Sequence, residues 1–493
     1  MGKPTQNSFT PNEGITEAEK YLYKLCRRTF LSLWSYPGLY KEPGKELCDL
    51  LVIFENNVII FSDKYCTFPD SGNLQKDWSR WFKKAIDKSA RQSWGAERWI
   101  KNNPNKIFSD RKATAPLPFT IPSSPDVKFH LMVVAHNGAK RCSRELGGSG
   151  SFMLRSDIVG FDKHTIPFTI GDLDASKTFI HVLDDTSLDI LLCKLDTISD
   201  FVDYLTKKEQ LLRSKLEIFA TGEEELLAHY LKRTNDKGVH DFIFPEKSNG
   251  VALMEGGWEK FINDPQVKRQ KEADKISYVW DHLIEQFSYH AFTGTQYFGT
   301  DPKLQSTEKI LRLMAREPRL GRRMLSKTII DLLEKTPKDK QATRYFGPRP
   351  GREGTTYVFF LFPLKEGLDE AGYRDRRIRL LEAYCQVAKL RFPRAKDIVG
   401  IATEPDTQND LRSEDAIYFD ASEWTEKRQK YAEELFEAMG LKGDTELNHY
   451  NENEYPDIVS RDPGILTVKL PKNPRNKLCP CGSGKKYKKC HGK

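Results

Sequence analysis

The stretch Cys48-Asp49-Leu50-Leu51-Val52-Ile53-Phe54-Glu55-Asn56-Asn57-Val58-Ile59-Ile60-Phe61-Ser62-Asp63-Lys64 decides how the N-terminal part of the chain is read. Two short runs rich in β-branched and aromatic residues are separated by Asn56-Asn57, residues that tolerate a positive φ, so the pattern predicts a β-hairpin. Upstream, Leu22, Leu25, Cys26, Phe30, Leu33 and Trp34 recur at helical spacing over Thr16 to Trp34, and Thr16-x-x-Glu19 has the form of a capping box. Ser35 to Gly44, with Pro37, Gly38, Pro43 and Gly44, reads as a loop. Downstream, Leu74 to Lys101 predicts a long helix with Trp78, Trp81, Phe82, Ala85, Ile86 and Trp94 on its apolar side. Its other side is basic, with Arg80, Lys83, Lys84, Lys88 and Arg91.

Further along, residues 126–183 alternate like strands, at Phe129–Ala135, Ser151–Asp157 and Thr178–Leu183, and Leu188 to Glu334 is mostly helical in pattern. Residues 355–440 give strand, helix, two strands and helix, a small α/β unit. The expected class is α+β multidomain: an N-terminal α/β domain over 1–125, a strand-rich extension over 126–205, a helical region over 206–345, a small α/β domain over 346–445, a linker over 446–474 and a short cysteine-bearing tail over 475–493. A chain of 493 residues exceeds one ordinary core, and 38% hydrophobic with 11% aromatic residues suits packed domains.

The longest apolar runs fall far below the ~20 residues that span a bilayer, and no apolar signal core follows Met1, so a cytoplasmic protein without membrane contact is expected. Residues 471–493 carry eight Lys and Arg and no acid. That equals the net charge of +8 of the whole chain, leaving residues 1–470 close to neutral. The tail is thus a compact polycation suited to polyanionic or acidic partners. Six of the nine cysteines are scattered and read as small core residues, whereas three lie within the last fifteen positions.

The hairpin carries the candidate chemistry. With Asn56-Asn57 as a two-residue turn, Asp49 lies opposite Lys64 and shares its face, while Ser62 shares that face and Asp63 alternates to the other. The order helix, loop with Glu46, strand from Asp49, turn, strand ending Ser62-Asp63-Lys64, helix with Gln92 is similar to the PD-(D/E)xK, restriction-endonuclease-like, nuclease superfamily. That resemblance implies Mg²⁺- or Mn²⁺-dependent phosphodiester hydrolysis, with Asp49 and Glu46 or Asp63 holding the ion, Lys64 orienting the water and Gln92 assisting. The departure is Ser62, which stands where the superfamily has an acid. The basic side of the following helix is suited to phosphates, and spacing places most of its tryptophans in the core.

Other residues are weighed against plainer readings. His136 and His181 end strands, and Asp184-Asp185 follow the second, so a His/Asp pair is an alternative site; with no motif around it, a satisfied structural histidine is the plainer reading. Cys142 near Arg141 and Arg144 lacks a partner base. Gly147-Gly-Ser-Gly150 is a turn rather than a phosphate cradle, and the basic stretch Arg312–Arg323 suits either nucleic acid or a solvated helix pair.

The C-terminal run Leu478-Cys-Pro-Cys-Gly-Ser-Gly-Lys-Lys-Tyr-Lys-Lys-Cys-His491 offers two pairs of zinc ligands, Cys479 with Cys481 and Cys490 with His491. Pro480 stiffens the first pair, and Gly482 and Gly484 let the backbone turn back. Metal ligation would supply the folding energy of so short a segment. The stretch resembles the SEC-C motif, C-x-C-x8-C-[HC], named for the tail of the translocase ATPase SecA, where the knuckle contacts a chaperone and the ribosome. The implied zinc is structural, since all four positions are filled. No phosphate-binding G-x-x-x-x-G-K-[ST] run occurs, so the ATPase activity is not implied. Two functions follow as expectations: a metal-dependent nuclease or nucleic-acid-processing protein, and, alternatively, a non-catalytic adaptor docking through its tail on a ribosome, chaperone or other protein.

Overall fold

The computed structural model describes residues 17–117, 121–122, 125–245, 248–293, 304–348, 354–364, 367–406, 413–441 and 452–456. Two compact units divide at residues 268 and 269. The zinc knuckle expected over 475–493, and most of the linker before it, lie outside the described residues.

The first unit opens with α1 (Glu17–Phe30), β1 (Ser35–Glu42), β2 (Lys45–Phe54) and β3 (Asn57–Tyr65). A continuous helical rod follows: α2 (Leu74–Phe82), a π turn (Lys83–Asp87) and α3 (Lys88–Asn102). Then come β4 (Lys128–His136), α4 (Gly138–Leu146), β5 (Met153–Val159), β6 (Thr169–Asp172), β7 (Ile180–Leu183), α5 (Asp185–Lys194) and α6 (Ile198–Leu212). The unit ends in β8 (Glu217–Ala220), α7 (Glu223–Leu231), β9 (Gly250–Leu253) and α8 (Gly257–Asn263).

Its main sheet has the order β1-β2-β3-β4-β7. β1, β2 and β3 run antiparallel in turn, and β4 and β7 add in parallel. Helices cover both faces, which is why β2 and β3 read as unbroken apolar runs rather than alternating ones. Leu51, Ile53, Val58 and Ile60 pack with Trp78, Trp81, Ala85 and Ile86 of the helical rod, while Phe61 meets Phe30 of α1, ring centroids 6.2 Å apart. Burial of each such side chain contributes roughly 1.5–3 kcal/mol. A second sheet, β6-β5-β8-β9, stands beside it in the same unit.

Several expectations are corrected. Ser35–Glu42 is a strand, not a loop: Pro37 is tolerated because β1 is the edge of the sheet, and Gly38 takes a φ of 58°. The boundary expected at 125/126 falls inside one sheet, since β4 pairs with β3 along its length. Likewise, 205/206 falls within α6 and 345/346 within a strand. The helical stretch after Leu188 is interrupted by β8 and β9, too short to register as a period. The hairpin turn is centred on Glu55-Asn56, with Phe54 opposite Asn57, because Glu55 takes the left-handed backbone at φ 53°.

The second unit contains α9 (Pro265–Ala273, which begins at the junction), α10 (Tyr278–Thr293), α11 (Leu304–Ala315), α12 (Arg319–Lys335), β10 (Ala342–Phe346), β11 (Thr356–Leu361), α13 (Glu370–Arg391), β12 (Asp397–Thr403), β13 (Asp415–Asp420) and α14 (Glu426–Ala438). Its sheet runs β10-β11-β12-β13, with the β11–β12 pair parallel and α13 as the crossover. Val358, Phe360, Leu381, Cys385 and Ile398 form its core. The strands and helices expected over 355–440 are present within a few residues. No described helix is long and apolar enough to cross a membrane.

Candidate functional site

The register of the hairpin sets the site. The β2–β3 ladder runs from Phe54↔Asn57 to Leu50↔Phe61. Continued one step, it sets Asp49 level with Ser62 rather than with Lys64, two residues from the expected pairing. A two-residue slip preserves faces, since side chains alternate with period two. Beyond this point β3 continues against β4 while β2 continues against β1, so the two strands part. The Asp49 carboxylate fills the gap by accepting the backbone N–H of Asp63 at 2.6 Å. A side chain thereby supplies the acceptor that a strand carbonyl would otherwise provide.

Alternation along β3 carries Ser62 and Lys64 to the side of Val58 and Ile60, toward the α2–α3 rod, and Asp63 to the opposite side with Phe61. Asp63 is 3% exposed and close enough to Cys26 of α1 to help, after burial, to push that thiol up. Here β4 supplies its partner: Tyr65 and His136 are level in the parallel pair, and Asp63 is level with Val134. His136 Nε2 bonds Asp63 Oδ1 at 2.5 Å, and His136 Nδ1 bonds Asp185 Oδ1 at 2.5 Å. Asp185 is the first residue of α5, and its second oxygen accepts the N–H of Asn137 at 2.8 Å. Asn137 turns out of β4 with a left-handed φ of 70° and donates from its side chain to the Cys66 carbonyl at 3.3 Å. Tyr65 lies over the imidazole, centroids 5.7 Å apart.

Burial alone would lower the pKa of His136; the hydrogen bonds and charges of Asp185 and Asp63 overcome it and raise it to about 10. With both ring nitrogens on carboxylates, the ring is an imidazolium at neutral pH. Two other histidines of the sheet behave in the opposite way. Burial, reinforced by Lys128, lowers His130 to about 4, and burial drives His181, whose ring nitrogens have no hydrogen-bond partner, well below its usual range. His181 is a neutral core residue. His136 is the one wired into the acids.

The remaining candidates stand apart from this chain of contacts. Glu46 is exposed at the start of β2, level with Tyr40, and Gln92 is exposed on α3. Lys64 is half-buried and forms no ion pair with a described residue. Among the described residues no group of three or more His, Cys, Asp or Glu side chains converges as a metal site. Cys142 is buried and pushed up to about 12 by that burial and by Asp184 and Glu224, which leaves it a thiol. The Gly147–Gly150 turn is lined by acid: Ser149 Oγ donates to Glu224 at 2.5 Å, and a Cβ on Gly148 would strike Glu255. It is unsuited to phosphate. The basic run at 312–323 is largely internal, because Arg322 and Arg323 are fully buried in ion pairs with Asp281, Asp274 and Glu452.

The tryptophans of the rod are core residues: Trp78, Trp81 and Trp94 are all buried, and each indole N–H reaches a backbone carbonyl. The basic side chains lie along an open groove of about 830 Å³.

Comparison with known proteins speaks to the tail alone. Residues 475–493 match the SEC-C motif. The chain is 55% identical over 42 residues to the protein translocase subunit SecA of Bartonella bacilliformis, covering 8% of this chain and 4% of that protein. It is 40% identical over 65 residues to SecA of Pelodictyon phaeoclathratiforme (13% and 5%) and 41% identical over 68 residues to SecA of Campylobacter concisus (14% and 7%). The chain thus spans only a few per cent of the length of these relatives. No solved structure matches it.

Proposed function

We propose that the N-terminal unit acts on nucleic-acid phosphodiesters, with the Asp49 carboxylate and Lys64 on one face of the hairpin and Asp63 buried on the other. The observation behind this reading is the hydrogen bond from the Asp63 backbone N–H to the Asp49 carboxylate, which fixes that carboxylate at the point where β2 and β3 separate. Magnesium is characteristically held by one or two carboxylates together with substrate phosphate oxygens rather than by a full protein cage, and the Asp49 carboxylate would be one such donor. Bound there, such an ion would supply Lewis-acid activation of the phosphate. His136 holds Asp63 in one orientation through its Nε2. Lys64, on the helix side of the strand, would neutralise a phosphate.

The experiment is cleavage of labelled DNA and RNA with Mg²⁺ or Mn²⁺ by the wild type, Asp49→Asn and Lys64→Ala. Metal-dependent products lost in both variants uphold the reading. Equal background in all three removes it.

A second reading rests on the SEC-C match: the tail binds one zinc through Cys479, Cys481, Cys490 and His491 and docks on a protein partner such as a ribosome or chaperone, with the body as an adaptor. Three thiolates and an imidazole at this spacing are a closed, structural donor set. Ribosome co-sedimentation with and without a zinc chelator tests it, and retention of co-sedimentation in the chelated protein would argue against it.

A further inference from the structure

The α2–α3 rod borders a groove whose walls are Thr67 and Pro69, from the segment that leaves β3, and whose floor includes Trp81. Its rim carries Arg80, Lys83, Lys84, Lys88 and Arg91 against a single acid, Asp87, which is paired with Arg91 at 2.5 Å. Among the described residues Arg80, Lys83, Lys84 and Lys88 form no ion pair, and all four are exposed.

We propose that this groove binds the sugar–phosphate backbone of a nucleic acid. Three features separate it from an ordinary solvated helix face. The first is concavity, which focuses the field of like charges into one channel. The second is rigidity. Trp81 donates its indole N–H to the Cys66 carbonyl at 3.1 Å, fixing the β3 exit against the rod, and Trp78 and Phe152 pack behind it. The third is spacing: Arg80 to Arg91 span ~16 Å at ~1.5 Å per residue, enough to follow a strand whose phosphates advance ~3.4 Å apiece along the duplex axis. The π turn falls at the centre of this row, and Lys83, Lys84 and Asp87 within it all reach the groove. Because Trp81 is buried, the groove offers no ring for base stacking, so contact is with phosphates and independent of sequence.

The inference rests on the nucleic-acid reading above but not on cleavage. The test is fluorescence anisotropy of the full-length protein with labelled duplex and single-stranded oligonucleotides in EDTA. It compares the wild type, Lys84→Glu/Lys88→Glu and a control reversal on α14, Lys427→Glu/Lys430→Glu. Melting curves establish that each variant is folded. The expected result is at least about tenfold weaker binding for the groove variant alone, with a log–log salt slope lower by about two. Wild-type affinity in the groove variant would overturn the inference and assign binding to the basic tail, and absence of binding by the wild type would also overturn it. Polyglutamate binding as tight as DNA binding, with the same dependence on Lys84 and Lys88, would overturn the assignment to nucleic acid. Groove-dependent binding without metal-dependent cleavage leaves the groove standing and removes the nuclease.

Discussion

His136 and Asp63 join the ends of two parallel strands through a 2.5 Å hydrogen bond, although 73 residues separate them in the chain. The imidazole is held on its other side by Asp185, so a single cation bridges two carboxylates from two further elements. His136→Gln is expected to destabilise the first unit by roughly 3 kcal/mol, the usual consequence of leaving a buried charge without its partner. The pH dependence has a definite sign. The folded pKa of about 10 lies above the ordinary 6.5, so the contribution is complete below pH 6.5 and is lost as pH rises through 10. Chemical denaturation at pH 6, 8 and 10 should show this decline in the wild type and a flatter profile in the variant.

Asp49 acts on the backbone of the neighbouring strand. Asp49→Ala leaves the partly buried N–H of Asp63 without its acceptor and is expected to cost about 1–3 kcal/mol, whereas Asp49→Asn retains an acceptor oxygen and costs less. Hydrogen exchange at the Asp63 amide is the direct measurement: faster exchange in Asp49→Ala than in Asp49→Asn is expected, and equal rates would contradict the assignment.

The second unit has its own pH-sensitive element, which weakens as pH rises. Glu317 accepts from the Tyr357 hydroxyl at 3.0 Å, and burial raises its pKa from the ordinary 4.5 to about 7. The native state therefore binds the extra proton between these values, and the associated stability is present below pH 4.5 and lost as pH rises through 7. Glu317→Gln should remove that slope and gain on the order of 1–3 kcal/mol at pH 8. An unchanged slope in a thermal or denaturant series would place the titration elsewhere.

Zinc is expected to be local in its effect. Cys490→Ser with His491→Ala should release one zinc per chain, counted by a colorimetric chelator, with the melting of the body unchanged, because ligation would be the folding energy of so short a segment. Melting that followed zinc loss would show an integrated knuckle.

Local periodicity made the main elements legible. The apolar runs at 48–54 and 58–64 and the amphipathic pattern over 74–101 announce their structures because packing on both faces of a sheet, or on one face of a helix, leaves a direct imprint. Turn chemistry was less transparent: a pair of asparagines suggested the hairpin apex, but Glu55 bears the positive φ, and the register moved by two. Ser35–Glu42 escaped because an edge strand tolerates Pro37 and Gly38. Above all, the His136–Asp63 contact depends on β4 lying parallel to β3, a pairing between segments about seventy residues apart that leaves no mark in either. The strand-ending histidine and the following Asp184-Asp185 were visible, while their convergence on Asp63 was not.

The chain of contacts from Asp49 through Asp63 and His136 to Asp185 has a practical corollary for dissection of the protein. A fragment cut after residue 125 would keep both hairpin acids yet lose β4 and α5, and with them the cation that Asp63 was built around. An isolated piece intended to report on these acids must therefore reach past Lys194, where α5 ends, and a silent shorter piece would reflect an orphaned carboxylate rather than an inactive protein.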